Sequence, residues 1–373
     1  MNDPDLPPIE AVAPPGSAPF ERADGDDIAL LFDMALDASL HAEKSAGETF
    51  QYDQLIGNRV IRMRFSGSAL LAPVASAFRH LVTEAQEKPD LTVHIWDSSS
   101  TGVVMPPPPW PKEAQTTGGE IPSFINDRFY THFDAGVHQL SLIDFERRLA
   151  VLWVRNHTNI PYWEQSAPLK SILHIWMNRH GFEWIHGGAV GLPDGGALLV
   201  GISGAGKSNS ALACLDSTLQ YAGDDHCLVG FDTQPKVYSI YNSAKTHRAD
   251  LEQFSFLRPL VTNIDDGPDA RMWGKALCFL HQGFPDKLIP GFPLKVMLLP
   301  RVTGETDTHV RPASAAEGLR IVAPEVMMKW PSRAHASFLN LTKLFRALPC
   351  YYLDVGTDRA QIPKTILEVL ARV

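Results

Sequence analysis

The sequence predicts an α/β protein in two parts, an α+β N-terminal unit and a C-terminal domain built round a phosphate-binding loop. Three observations carry this. The alternating "RVIRMRFSG" and a second strand, "LTVHIWD", are interleaved with helical periodicity in "ALLAPVASAFRHLVTEA". The run "HQLSLIDFERRLAVLWV" reads as two strands round a turn. Finally, "LLVGISGAGKSNSAL", Leu198 to Leu212, passes from an apolar strand through three glycines and a lysine into a small-residue helix.

The chain has 373 residues, 45% hydrophobic and 20% charged, which suits two globular domains. Residues 1–26 are rich in Pro, Ala and Asp and read as a disordered tail. They lack the basic start and apolar run of a signal peptide, so a cytoplasmic location is expected. The net charge of −9 gives no electrostatic reason to bind nucleic acid or an anionic membrane, and no apolar stretch is as long as a membrane span. The four cysteines, Cys214, Cys227, Cys278 and Cys350, form no C-x-x-C pair and are expected to be reduced and buried.

The N-terminal unit is assigned to 27–160. Within it "MPPPPWPKE" interrupts regular structure and is expected on the surface. The change of character near Pro161 opens the second domain, 161–373. "APLKSILHIWMNRHG" predicts an amphipathic helix stopped at Gly181. Tyr162 and Trp163 before it are expected to be core aromatics. "FEWIHGGAVGL" and "ALLVG" form a hairpin across "PDGG". A helix follows from about Lys207 to Leu219, and "IPKTILEVLAR" gives the last one.

Gly201, Ile202, Ser203, Gly204, Ala205, Gly206, Lys207 and Ser208 match G-x-x-x-x-G-K-[ST] in full. Glycines let consecutive amides turn inward round an anion, and the helix that follows adds its positive end. Lys207 reaches the outer phosphates and Ser208 offers a hydroxyl to Mg²⁺. The expected ligands are therefore the phosphates of a nucleotide, with Mg²⁺. Such a loop serves many chemistries, so the next landmark decides. Asp224 and Asp225 follow "LQYAG" and precede "CLVGF", at the edge of a strand expected beside the strand of the glycine loop. Paired carboxylates there can hold Mg²⁺ or accept the proton of an attacking hydroxyl.

The stretch "IHGGAVGLPDGGALLVGISGAGKSNSALACLDSTLQYAGDDHCLVG" resembles the catalytic core of the HPr kinase/phosphorylase family. His186 lies 15 residues before Gly201 and Asp224 lies 16 after Ser208, close to the family's spacing. The resemblance covers about 45 residues. It implies a fold related to phosphoenolpyruvate carboxykinase and ATP-dependent phosphorylation of a hydroxyl, on a serine of a carrier protein in the founding members. It also implies roles: Lys207 and Ser208 on phosphate and metal, Asp224 on metal or positioning, Asp225 as base, and His186 near the transferred group. Members assemble into hexamers, so a homo-oligomer is among the expectations. Two departures matter. Asn209 stands where founding members carry an acid, and their later glycine-rich signature is missing. These put the carrier protein and the reverse reaction in question, and a hydroxyl on another peptide, protein or small molecule fits better. They also suit a regulatory module that binds nucleotide without transferring phosphate.

Candidates for further cations are Lys245 first, then Arg248, Lys275, Arg301 and Arg311. The histidines show no zinc-ligand spacing.

Overall fold

The computed structural model describes residues 23–263, 274–329 and 334–373. It is an α/β structure of helices and mixed sheets, and the chain divides into two compact units. Within the described residues the first unit holds 23–76 and Val82–Arg179. The second holds Ala77–Leu81 and the chain from His180 onward. Residues 1–22 of the expected tail lie outside the described residues, while Gly25 and Asp26 already belong to a helix.

The first unit opens with α1 (Gly25–Ala46), capped by the Asp24 carboxylate, which accepts from the amides of Asp26 and Asp27. Ile28, Leu31, Phe32, Ala35 and Ala42 form its buried stripe. That stripe joins one apolar cluster with Trp96, Leu140, Leu142 and Val151. The sheet comprises β1 (Thr49–Ile56), β2 (Arg59–Ser66), β3 (Val82–Thr83), β4 (Leu91–Asp97), β5 (Phe129–Asp134), β6 (Gln139–Asp144) and β7 (Leu149–Val154). Its order is β3-β1-β2-β4-β7-β6-β5, parallel only where β4 meets β2 and β7. The proline loop carries Trp110 into the cluster and leaves Pro107 to Pro109 exposed.

Three local expectations are corrected. The segment 69–85 is no regular helix. Pro73 falls inside one irregular turn, a tight 3₁₀ stretch follows over Ser76–Leu81, and β3 comes next. The helix of "APLKSILHIWMNRHG", α2 (Lys170–Arg179), belongs to the first unit and is buried on every face from Ser171 to Arg179. Its polar side chains find partners inside: Ser171 donates to Ser141 and Arg179 to the carbonyl of Asp127. Trp163 is 52% exposed, not a core aromatic, and meets Tyr162 edge to face.

The second unit is built on a branched sheet. Its strands are β8 (Phe182–Ile185), β9 (Gly187–Leu192), β10 (Gly195–Val200), β11 (Gln220–Gly223), β12 (Cys227–Gly230) and β13 (Lys236–Tyr238), then β16 (Gly291–Val302), β17 (His309–Ala313) and β18 (Cys350–Val355). β14 (Ser243–His247) and β15 (Lys275–Phe279) form a separate ribbon. The long β16 pairs in turn with β13, β10 and β18, and β10, β16 and β18 run parallel. These parallel strands are apolar on both sides because helices cover both faces. Leu199, Val296 and Leu298 pack in one cluster with Ala211 and Leu212 of α3 (Lys207–Ala213) and Ile362 and Ile366 of the last helix. Leu198, Val200 and Met297 pack on the other side with Leu341, Leu344 and Phe345. The β9–β10 hairpin forms as expected, whereas the helix after the glycine loop ends at Ala213, short of Leu219, and tightens into a 3₁₀ turn. All four cysteines are unpaired and buried. Among the described residues, no helix is long and apolar enough to cross a membrane.

Candidate active site

The glycine loop leaves β10 at the carboxyl edge of the parallel strands, the place where open α/β sheets bind ligands. Gly204 and Gly206 have φ of 80° and 101°, and this left-handed backbone is what turns the chain into α3. Gly206 sits under Val302 at the end of β16; a Cβ there would lie 3.2 Å from Val302 Cγ2. Ser203 and Gly204 are exposed at the loop's crest, and Ala205 is half-buried below them. The Lys207 ammonium folds back into the loop and donates to the carbonyls of Gly201, at 2.6 Å, and Ile202, at 3.0 Å. Asn209 donates at 3.1 Å to Asp250, a carboxylate from a distant segment.

A broken ladder brings the acids to this loop. β9 pairs antiparallel with β11 as far as Ala189 opposite Gly223, and β8 pairs antiparallel with β12 from Ile185 opposite Cys227. The register is the same on both sides of the gap. Three residues on each strand, 186–188 and 224–226, therefore face one another without ladder pairing. That gap is the candidate site, with His186 on one side and Asp224, Asp225 and His226 on the other. The small residues there are required by space. A Cβ on Gly188 would lie 3.3 Å from Ala211 Cβ of α3 and 3.6 Å from the Gly223 carbonyl, and one on Gly187 would lie 2.6 Å from the carbonyl of Leu199. So Gly188 lets α3 lie close against the strand opposite the acids, and Gly187 lets that strand close on β10, which carries the glycine loop. The aspartates are not on the strand next to the loop's own strand as expected, because β9 lies between β11 and β10.

The two carboxylates differ sharply. Asp224 is 2% exposed, and neither of its oxygens has a hydrogen-bond partner of good geometry. Burial, then the charge of Asp225, pushes its carboxyl up to about 6, against the milder influence of the Ser208 hydroxyl and Lys245. Asp225 takes φ of 68°, a left-handed backbone that Asp tolerates better than most residues. Its side chain meets Lys245 Nζ at 2.6 Å, His186 Nε2 at 3.2 Å and His226 Nε2 at 3.7 Å. Burial raises the Asp225 carboxyl, but His226, Lys245 and His186 outweigh it and hold it well below the usual carboxylate range.

Sequence reasoning selected most of this group, and ranked Lys245 first among the cations. It arrives on β14 from the separate ribbon. The other cations turn elsewhere: Arg248 donates to the carbonyl of Asn263, Lys275 stands opposite His247 in the ribbon, and Arg301 and Arg311 both grip Asp354. His226 and its partner Trp184 were missed, because a histidine beside an acidic pair and a tryptophan in a strand carry no motif. Among the described residues no three His, Cys, Asp or Glu side chains could hold a metal ion by themselves. A magnesium ion needs fewer, since it keeps waters and uses phosphate oxygens with one or two carboxylates. The buried, unpartnered Asp224 beside Ser208 fits such an ion.

No family model matches the chain, and no curated protein matches it in sequence. Among solved structures, the Hpr(Ser) kinase/phosphatase from Coxiella burnetii aligns with 51% of this chain and 97% of its own, at 10% identity and a TM-score of 0.29. A likeness that distant carries no weight for the chemistry, which rests on the side chains above.

Proposed function

We propose that this chain is an ATP-dependent phosphotransferase of the HPr kinase-like type, which moves the γ-phosphate of ATP to an alcohol hydroxyl on a peptide, protein or small molecule. The observation that carries the reading is Asp224, a carboxylate buried without a partner beside the serine of a glycine loop. Such a group is costly unless a cation meets it. Ser208 and Asp224 would hold Mg²⁺, which supplies neutralisation of charge on the phosphate oxygens. The backbone amides from Ser203 to Ser208, with Asn209 behind them, would cradle the phosphates, and Lys207 would exchange its two carbonyl partners for phosphate oxygens.

Asp225 receives the acceptor hydroxyl. The acceptor oxygen forms the new bond to phosphorus, the bond from phosphorus to the bridging oxygen breaks, ADP leaves with that electron pair, and the hydroxyl proton passes to Asp225. A carboxylate held well below its usual range is a weak base. That suits a loose transition state, in which orientation matters more than early proton removal. His186 stays beside Asp225 and fixes where its oxygens point.

The test is purified protein with γ-labelled ATP and a panel of serine peptides and small alcohols. A labelled product is expected. Lys207→Ala should lose nucleotide binding, and Asp225→Asn should bind ATP and transfer nothing. Full transfer by Asp225→Asn would remove that residue as base. ATP binding without a product from any acceptor would make the chain a nucleotide-binding module.

A further inference from the structure

His226 stands at the gap in the ladder, next to Asp225, and its ring is held from behind. Trp184 of β8 donates its indole N–H to His226 Nδ1 at 3.1 Å. Trp184 is itself 5% exposed, and its ring packs on His226 with centroids 5.4 Å apart. An indole nitrogen can only donate. The Nδ1 atom it meets must therefore be a lone pair, which leaves the proton of a neutral ring on Nε2. That is the atom facing Asp225, 3.7 Å from Oδ2. We infer that His226 is a positioning residue for Asp225, its ring held by Trp184 so that Nε2–H is turned toward that carboxylate. The geometry sets an N–H toward the carboxylate from 3.7 Å, beside Lys245, which meets the same oxygen at 2.6 Å.

This deepens the proposed transfer reaction and rests on it only for its consequence. Asp225 must present one oxygen to an incoming hydroxyl. Lys245 and His226 both address Oδ2, and His186 addresses Oδ1 at 3.2 Å. An N–H held near Oδ2 biases the carboxylate against turning and leaves Oδ1 on the His186 side.

The first experiment needs no activity. Long-range ¹H–¹⁵N correlation of ¹⁵N-histidine protein at neutral pH should show His226 with its proton on Nε2, and Trp184→Phe should give a mixture of tautomers. A wild-type His226 protonated on Nδ1, or on both nitrogens, would overturn the inference. The second compares variants in the transfer assay. A glutamine side chain places an N–H near the Nε2 position, so His226→Gln should keep kcat close to wild type. His226→Phe should lower kcat by about 10- to 100-fold, the usual loss when an orienting partner is removed, with KM for ATP unchanged. Equal losses in both variants, or a loss confined to KM, would sink the positioning role. If wild-type protein transfers no phosphate, the proposed function fails and the tautomer measurement still decides the lock.

Discussion

Replacing Asp224 by asparagine takes a negative charge out of a site where it is 2% exposed and both oxygens lack a hydrogen-bond partner. Burial and the charge of Asp225 raise the carboxyl from 3.8 to about 6 in the folded chain. A raised acid stabilises the fold at low pH and loses that contribution as the pH climbs through its folded value. Each tenfold change in proton affinity is worth about 1.4 kcal/mol, so the ionised carboxylate costs the folded protein about 3 kcal/mol at pH 8. Asparagine carries no such charge. Its own unpaired amide costs about 1–3 kcal/mol, equally at every pH. The difference in unfolding free energy, variant minus wild type, should therefore climb by about 2 kcal/mol between pH 4 and pH 8. Urea unfolding followed by tryptophan fluorescence measures it. Magnesium with a non-hydrolysable ATP analogue should then reverse the order at pH 8. Ligand at 100 times its Kd stabilises wild type by about 2.7 kcal/mol, and the variant should gain far less. A difference flat with pH would show that no unpaired charge is buried at Asp224. Equal stabilisation of the two proteins by the ligand would refute the metal role.

Lys245→Met should leave ATP affinity near wild type and cut phosphate transfer by about 100-fold, as loss of one fixed partner at a developing charge does; equilibrium binding and single-turnover transfer separate the two. Gly187→Ala pushes a methyl to 2.6 Å from the Leu199 carbonyl, and should cost about 1–3 kcal/mol in urea unfolding and loosen nucleotide binding as β9 moves from β10, the strand that carries the glycine loop. His80 is held neutral, chiefly by burial and then by His281, which lowers it from 6.5 to about 3. The unfolded chain binds the proton first, so this residue should cost the second unit about 2 kcal/mol as pH falls from 6.5 to 4.5, a slope absent from His80→Gln.

What was legible in the sequence was local. The glycine loop announces itself because phosphate cradling needs glycine and lysine at fixed offsets along one strand-turn-helix. The hairpin at Pro193–Gly196 and the strands β2, β4, β6 and β7 follow from neighbours in the chain. Register across distant strands was not legible. Nothing near Asp225 tells that His186 faces it across a gap in the ladder, or that Lys245 arrives on another ribbon. α2 looked amphipathic because its polar residues were assigned to water, whereas Ser171 and Arg179 satisfy them within the unit. The segment 69–85 has helical spacing, yet Pro73 and the bonds of Ala77 and His80 to Asn242 and Ser239 select another path.

Phosphate transfer here requires the glycine loop and the two aspartates to meet at one terminal phosphate. The direct measurement is a crystal structure with Mg²⁺ and a non-hydrolysable ATP analogue. The metal is expected between the Ser208 hydroxyl and the phosphate oxygens, with Asp224 on it directly or through one water and Asp225 facing the γ-phosphorus. A metal held by phosphates and water alone, with Asp224 still unpartnered and Asp225 turned from the nucleotide, would contradict it.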